Sequence, residues 1–159
     1  MRPPPDLDEN DFKYDVFVTY SRKDFSWVDK ELLRLLRENQ VKYCVDHKHF
    51  ELGKAIVENI TDSVYQSRKV LAVWSGSYAS SKYCKQELDY AIQRSFHYSD
   101  CSVIVITVDK TDRKQLPKPL QAKTFLDYSD SVERQGWEKR LITYVKGLEQ
   151  KNNVITTIV

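Results

Sequence analysis

Tyr14-Asp15-Val16-Phe17-Val18-Thr19-Tyr20-Ser21 is a short apolar strand that stops at a small hydroxyl residue. Further along, Ser77-Tyr78-Ala79-Ser80-Ser81-Lys82-Tyr83-Cys84-Lys85-Gln86-Glu87-Leu88 is a Ser/Tyr loop running into an amphipathic helix. The interval between them reads as one helix, one strand, a polar loop and a second helix. The first helix follows Asp24, a plausible N-cap, with Val28, Leu32, Leu35 and Leu36 at i, i+4, i+7 and i+8, a single buried stripe. Val41–Val45 is a short strand and Asp46–Gly53 a polar loop. Ile56, Ile60 and Val64 then mark a helix ending near Ser67.

The rest of the chain continues the alternation. Val70–Trp74 is apolar without a period of two, as expected of a strand covered on both faces. The helix after Ser81 carries Leu88, Ala91, Ile92 and Ser95 on one side. Ser102–Val108, with Val103-Ile104-Val105-Ile106, is the strongest central strand. Lys110–Leu120 is charged, and Pro117 and Pro119 argue against a long helix there. Thr124–Leu126 is a last short strand, and Trp137, Leu141, Tyr144, Val145 and Leu148 give a final helix whose Trp137 is a core anchor. Strands alternating with helices imply an α/β fold, a parallel sheet with helices on both faces.

Composition narrows the class. At 159 residues the chain suits one domain, and 41% hydrophobic with 30% charged residues is an ordinary globular mix. A net charge of +2 from 25 basic and 23 acidic side chains argues against a dedicated nucleic-acid binder. No apolar run approaches the roughly 20 residues of a membrane span, and no secretory signal opens the chain. The expectation is a cytoplasmic chain, or the cytoplasmic piece of a single-pass membrane receptor. Residues 1–13, Pro-rich and then acidic, read as a linker or juxtamembrane-like arm, 14–149 as the folded domain and 150–159 as a tail. Cys44, Cys84 and Cys101 form no disulfide framework. Cys44, Asp46, His47 and His49 have the right chemistry for zinc, but their spacing in an extended segment scatters them, so no metal is expected.

In this order, the strand ending at Ser21, the loop closed by Gly53 and the Tyr83-Cys84-x-x-Glu87-Leu88 run resemble a TIR domain, the cytoplasmic signalling module of Toll-like and interleukin-1 receptors and their adaptors. The resemblance covers roughly Tyr14 to Leu148. It implies a flavodoxin-like, doubly wound sheet of five parallel strands in the order 2-1-3-4-5. It also implies innate-immune signalling by assembly with other TIR domains, recruiting adaptors through the loop after the second strand.

That loop reads Lys48-His49-Phe50-Glu51-Leu52-Gly53, where the family usually has Arg-Asp, two variable residues and Pro-Gly. The basic residue and the glycine are retained, while His49 replaces Asp and Leu52 replaces Pro. Phe50 and Leu52 are the natural apolar anchors, with Lys48, His49 and Glu51 setting partner choice. A second docking surface is expected around Tyr78, Ser81, Lys82 and Tyr83, with a plain helix-capping loop as the alternative. Leu116-Pro117 after the fourth strand and Phe125-Leu126-Asp127-Tyr128 before the Trp137 helix resemble the animal receptor branch.

Some TIR domains hydrolyse NAD+, and the resemblance then makes Glu87 the catalytic carboxylate, with Tyr20, Ser21, Arg22 and Phe50 lining the NAD+ pocket at the carboxyl ends of the strands. No cofactor is expected otherwise. The same Glu87 in receptor TIR domains serves structure, and that is the better reading of the residue. The ending Thr157-x-Val159 resembles a PDZ-domain ligand, with a frayed tail as the plainer alternative.

Overall fold

The computed structural model describes residues 12–45, 63–98 (side chains to 93), 103–121 and 126–147. Strand β1 is Tyr14–Thr19, β2 Tyr43–Cys44, β3 Ser67–Trp74, β4 Val103–Thr107 and β5 Leu126–Asp127. All four pairings are parallel, and the strands lie in the order β2-β1-β3-β4-β5. This is the expected doubly wound order, with β1 and β3 at the point where the winding reverses.

Alternation along each strand divides the core in two. Val16 and Val18 of β1, Leu71 and Val73 of β3, Ile104 and Ile106 of β4 and Leu126 of β5 face one side. There they meet helix α1, built from the consecutive stretches Phe25–Trp27, Val28–Leu33 and Arg34–Glu38, and helix α5, Trp137–Val145. Phe17, Val70, Ala72, Trp74, Val103 and Val105 face the other side, with helix α3, Lys82–Tyr98, and the short helices α2, Gly76–Ala79, and α4, Lys118–Gln121. The missing alternation in Val70–Trp74 has this cause: both faces are covered, so both are apolar.

Several boundaries shift from the sequence reading. β2 is two residues long rather than spanning Val41–Val45, and β3 begins at Ser67 rather than Val70; of the strand expected over Thr124–Leu126, residues 124 and 125 lie outside the described residues. The helix expected to end near Ser67 does end just before it. Residues 63–65 are helical, Ser67 opens β3, and its hydroxyl donates back to the Ser63 carbonyl at 2.7 Å. Residues 110–120 carry only the 3-10 turn Arg113–Gln115 and the single turn α4, as the prolines require.

Helix α1 holds the clearest local surprise. Its middle six residues, Val28–Leu33, wind as a π-helix. In an uninterrupted α-helix Leu33 would sit about 140° around the axis from Val28, away from the stripe of Val28, Leu32, Leu35 and Leu36. The wider winding brings Leu33 round to the sheet, and all five residues are buried in one cluster. Asp24 does not cap this helix, since its side chain makes no cap hydrogen bond. Ser21 caps the preceding 3-10 turn, accepting from the Lys23 N–H at 3.4 Å. At the entry to α5, Gly136 takes a left-handed φ of +74° that favours glycine.

Candidate functional site

The site is assembled at the carboxyl ends of β1, β3 and β4. β1 and β3 pair through Thr19↔Ala72, which brings the end of β1 beside the start of the loop that leads to α3. Thr19, on the α3 side of the sheet, is buried, and its hydroxyl lies 3.1 Å from the Tyr78 phenol and donates to Glu87 Oε1 at 3.1 Å. The Tyr78 hydroxyl is also 3.1 Å from the Cys84 carbonyl. Thr19 gives its one proton to Glu87, and the Tyr78 proton lies between two acceptors, the Cys84 carbonyl and the Thr19 oxygen, so the three side chains are tied to one another and to the start of α3. Tyr78 has no exposed surface and Glu87 only 1%. Burial pushes the Tyr78 phenol well above its ordinary value, and the neighbouring Glu87 carboxylate adds to that shift. The phenol therefore stays protonated and able to donate.

A second set of contacts locks the same loops together from outside. Ser75 caps α2, accepting from the Tyr78 N–H at 3.1 Å, and donates its own proton to Asp24 Oδ2 at 2.5 Å. The Asp109 carboxylate, in the loop after β4, accepts from the Gly76 N–H at 3.1 Å and the Thr111 N–H at 2.9 Å. A Cβ on Gly76 would meet Thr111 Oγ1 at 3.2 Å, so the two loops approach closely here. The loops after β1, β3 and β4 thus form one connected rim. Burial raises the Asp109 carboxyl, but hydrogen bonds from the Thr111 hydroxyl and the Gly76 and Thr111 N–H groups outweigh it, and its pKa is lowered. A lowered folded-state pKa gives stability that is present above the ordinary carboxylate value, about 4, and lost as pH falls through the folded value. The stability advantage of wild type over Asp109→Asn is therefore expected to shrink as denaturation is measured from neutral pH down to about pH 3. A constant difference would show that the charge is not what the loop uses.

The sequence-predicted residues fall into three groups. Lys48, His49, Phe50, Glu51, Leu52 and Gly53 lie outside the described residues, as do Asp46, His47, Cys101, residues 1–11 and the Thr157-x-Val159 ending. Of the second surface, Lys82 is exposed, Ser81 and Tyr83 are half-buried, and Tyr78 is sealed inside the domain. Ser81 caps α3 by accepting from the Cys84 N–H at 3.2 Å. Tyr78 thus has no exposed surface with which to meet a partner, and its hydroxyl is turned inward to Thr19 and Cys84. Of the residues expected at an NAD+ pocket, Arg22 is exposed and Tyr20 and Ser21 are buried. Tyr20 packs toward Phe25 with ring centroids 6.4 Å apart. Thr19, Asp24, Ser75 and Asp109 were not singled out as site residues. Only the Ser-Gly and Asp-Lys-Thr turn chemistry around Ser75 and Asp109 carried any signal.

A family model described as TIR domain matches residues 16–142. Toll-like receptor 2 from dog (Canis lupus familiaris) is 32% identical over 155 residues, covering 91% of this chain and 20% of the receptor. The horse (Equus caballus) protein of the same name is 31% identical over the same shares. The chain therefore spans about a fifth of the length of the curated relatives it matches. Among solved structures, the TIR domain of the Toll-related receptor TRR-2 from Hydra magnipapillata superimposes with a TM-score of 0.74 at 23% identity, covering 84% of this chain and 99% of that one. A TIR-STING receptor from C. gigas, solved with 2',3'-cGAMP, gives a TM-score of 0.70 at 19% identity, covering 90% and 42%. At those identities the structural likeness speaks to the fold alone. With the family model spanning most of the sequence and the strand order agreeing, the chain belongs to the TIR domain family.

Proposed function

We propose that this domain is a signalling scaffold, working on the cytoplasmic side of a membrane-anchored receptor by pairing with other TIR domains and recruiting an adaptor. The observation that carries the scaffold over the enzyme is the state of Glu87. A carboxylate that stabilises a developing ribosyl cation must face the substrate. Glu87 is 1% exposed, and its Oε1 is held by Thr19 with Tyr78 alongside. These contacts suit a carboxylate that fixes the end of β1 to the start of α3. The rim above it holds Lys82, Ser81 and Tyr83 on a rigid base, as a docking surface requires.

Docking itself is assigned to Phe50 and Leu52 as anchors, flanked by Lys48, His49 and Glu51, with the Lys82 surface as the second contact. Such contacts are individually weak, and receptor clustering raises their effective concentration. Leu52→Glu is expected to abolish self-association, and Phe50→Ala to weaken it about tenfold or more, with circular dichroism unchanged. Sedimentation velocity over a range of protein concentrations reads both. Wild-type association in both variants would remove the loop from the account.

A further inference from the structure

The segment between β4 and β5 presents a charge pattern that the proposed docking contacts leave out. Lys110, Arg113, Lys114 and Lys118 all lie exposed within nine residues. Fully extended, nine residues reach only about 30 Å, and the two turns shorten that further. Lys110, Lys114 and Lys118 form no ion pair among the described residues, although Lys110 is within electrostatic reach of Asp127 and Asp130. Two exposed acids, Asp109 and Asp112, share the segment and keep their charge, so cations remain in excess, and both acids are fixed by backbone donors. Asp109 is engaged by the Gly76 and Thr111 N–H groups, and Asp112 caps the 3-10 turn by accepting from the Lys114 N–H at 2.9 Å.

The cations stand on a fixed base. Leu116 and Leu120 are 2% and 3% exposed in the core beneath α3. The Gln121 amide donates to the Lys114 carbonyl at 3.0 Å and the Leu116 carbonyl at 2.6 Å, tying the 3-10 turn to α4. The ridge carries no large exposed apolar side chain; among the described residues these are Phe25, at the start of α1, and Val132, in the loop after β5. Protein interfaces draw their affinity from buried aromatic, aliphatic and Arg anchors and are depleted in lysine. A ridge of three lysines and Arg113, without an aromatic or aliphatic anchor, fits a surface that offers charge and little to bury, and that is the headgroup layer of an anionic membrane.

We propose that the Lys110–Lys118 ridge is a docking surface for anionic phospholipid headgroups. This stands apart from the assembly reading, since a single domain suffices for it.

The test is co-sedimentation of the full chain with vesicles of phosphatidylcholine alone or containing about 30% phosphatidylserine. Binding is expected to the phosphatidylserine vesicles only, and to vanish at high salt. Each cation near an anionic surface contributes about fivefold in affinity, so Lys110→Gln/Lys114→Gln/Lys118→Gln should lose about a hundredfold. A control with the same charge change elsewhere, Lys30→Gln/Lys139→Gln/Lys146→Gln, should lose far less. Circular dichroism of both variants guards against misfolding. Equal loss in the two variants, no loss in the ridge variant, or tighter binding to soluble polyglutamate than to the vesicles would each overturn the proposal.

Discussion

Trp137→Ala is expected to lower the unfolding free energy by about 3–5 kcal/mol, the range for truncating a buried aromatic. Trp137 opens α5 and is 6% exposed. Its ring packs on Tyr128 edge to face at 5.3 Å and on Trp27 at 5.9 Å, and Trp27 and Tyr128 meet at 5.0 Å. Three aromatic rings thus join the first turn of α1 to the sequence-distant loop after β5 and to α5, which that loop enters. Arg134 closes the cluster from outside, its guanidinium 4.7 Å from the Tyr128 ring centre and its Nε–H donating to the Tyr128 carbonyl at 2.7 Å. Truncation leaves a cavity between elements that helices and strands hold apart, so little collapse can fill it. For a domain of this length the loss corresponds to a fall of about 10 °C in Tm by differential scanning calorimetry. Trp137→Phe should recover more than half of it. A change of less than about 1 kcal/mol would mean that the cluster is a surface ornament.

Thr19→Val is expected to be the most damaging isosteric change, at about 2–3 kcal/mol. The substitution keeps volume and burial. It removes the hydroxyl that donates to Glu87 and lies against the Tyr78 phenol. A carboxylate at 1% exposure cannot turn to bulk water for a replacement. Thr19→Ser retains the hydroxyl and should cost far less. The double variant Thr19→Val/Glu87→Leu should be more stable than the sum of the two single losses, since it removes donor and acceptor together. Denaturant midpoints for the four proteins close the cycle. Additive losses would show that Thr19 and Glu87 do not act as a pair.

The sequence carried the alternation of strands and helices because both ingredients are local, whereas the strand order was implied by the family resemblance. Apolar runs of the right length lie between amphipathic stretches, and Gly and Pro punctuate them. It also carried the importance of Tyr78 and Glu87, but not their relationship. The reading placed Tyr78 on a docking surface, and the structure buries it, because a Tyr in a Ser-rich loop looks the same buried or exposed until the partner of its hydroxyl is known. Thr19 and Glu87 are 68 residues apart, and Asp24 and Ser75 are 51 apart. No periodicity within a window relates such pairs. Asp24 had a good local reading as a helix cap, and a distant Ser75 hydroxyl competed for the same carboxylate and won. Leu33 was left out of the α1 stripe because the stripe assumed 3.6 residues per turn, which the π-helical stretch relaxes.

The scaffold reading is tested most directly by assaying nicotinamide release from NAD+ by the purified chain at concentrations where sedimentation shows it assembled, with Glu87→Ala beside it. The account predicts assembly without nicotinamide release. Release by the wild-type chain that disappears in Glu87→Ala would contradict it and make the buried carboxylate a catalytic one.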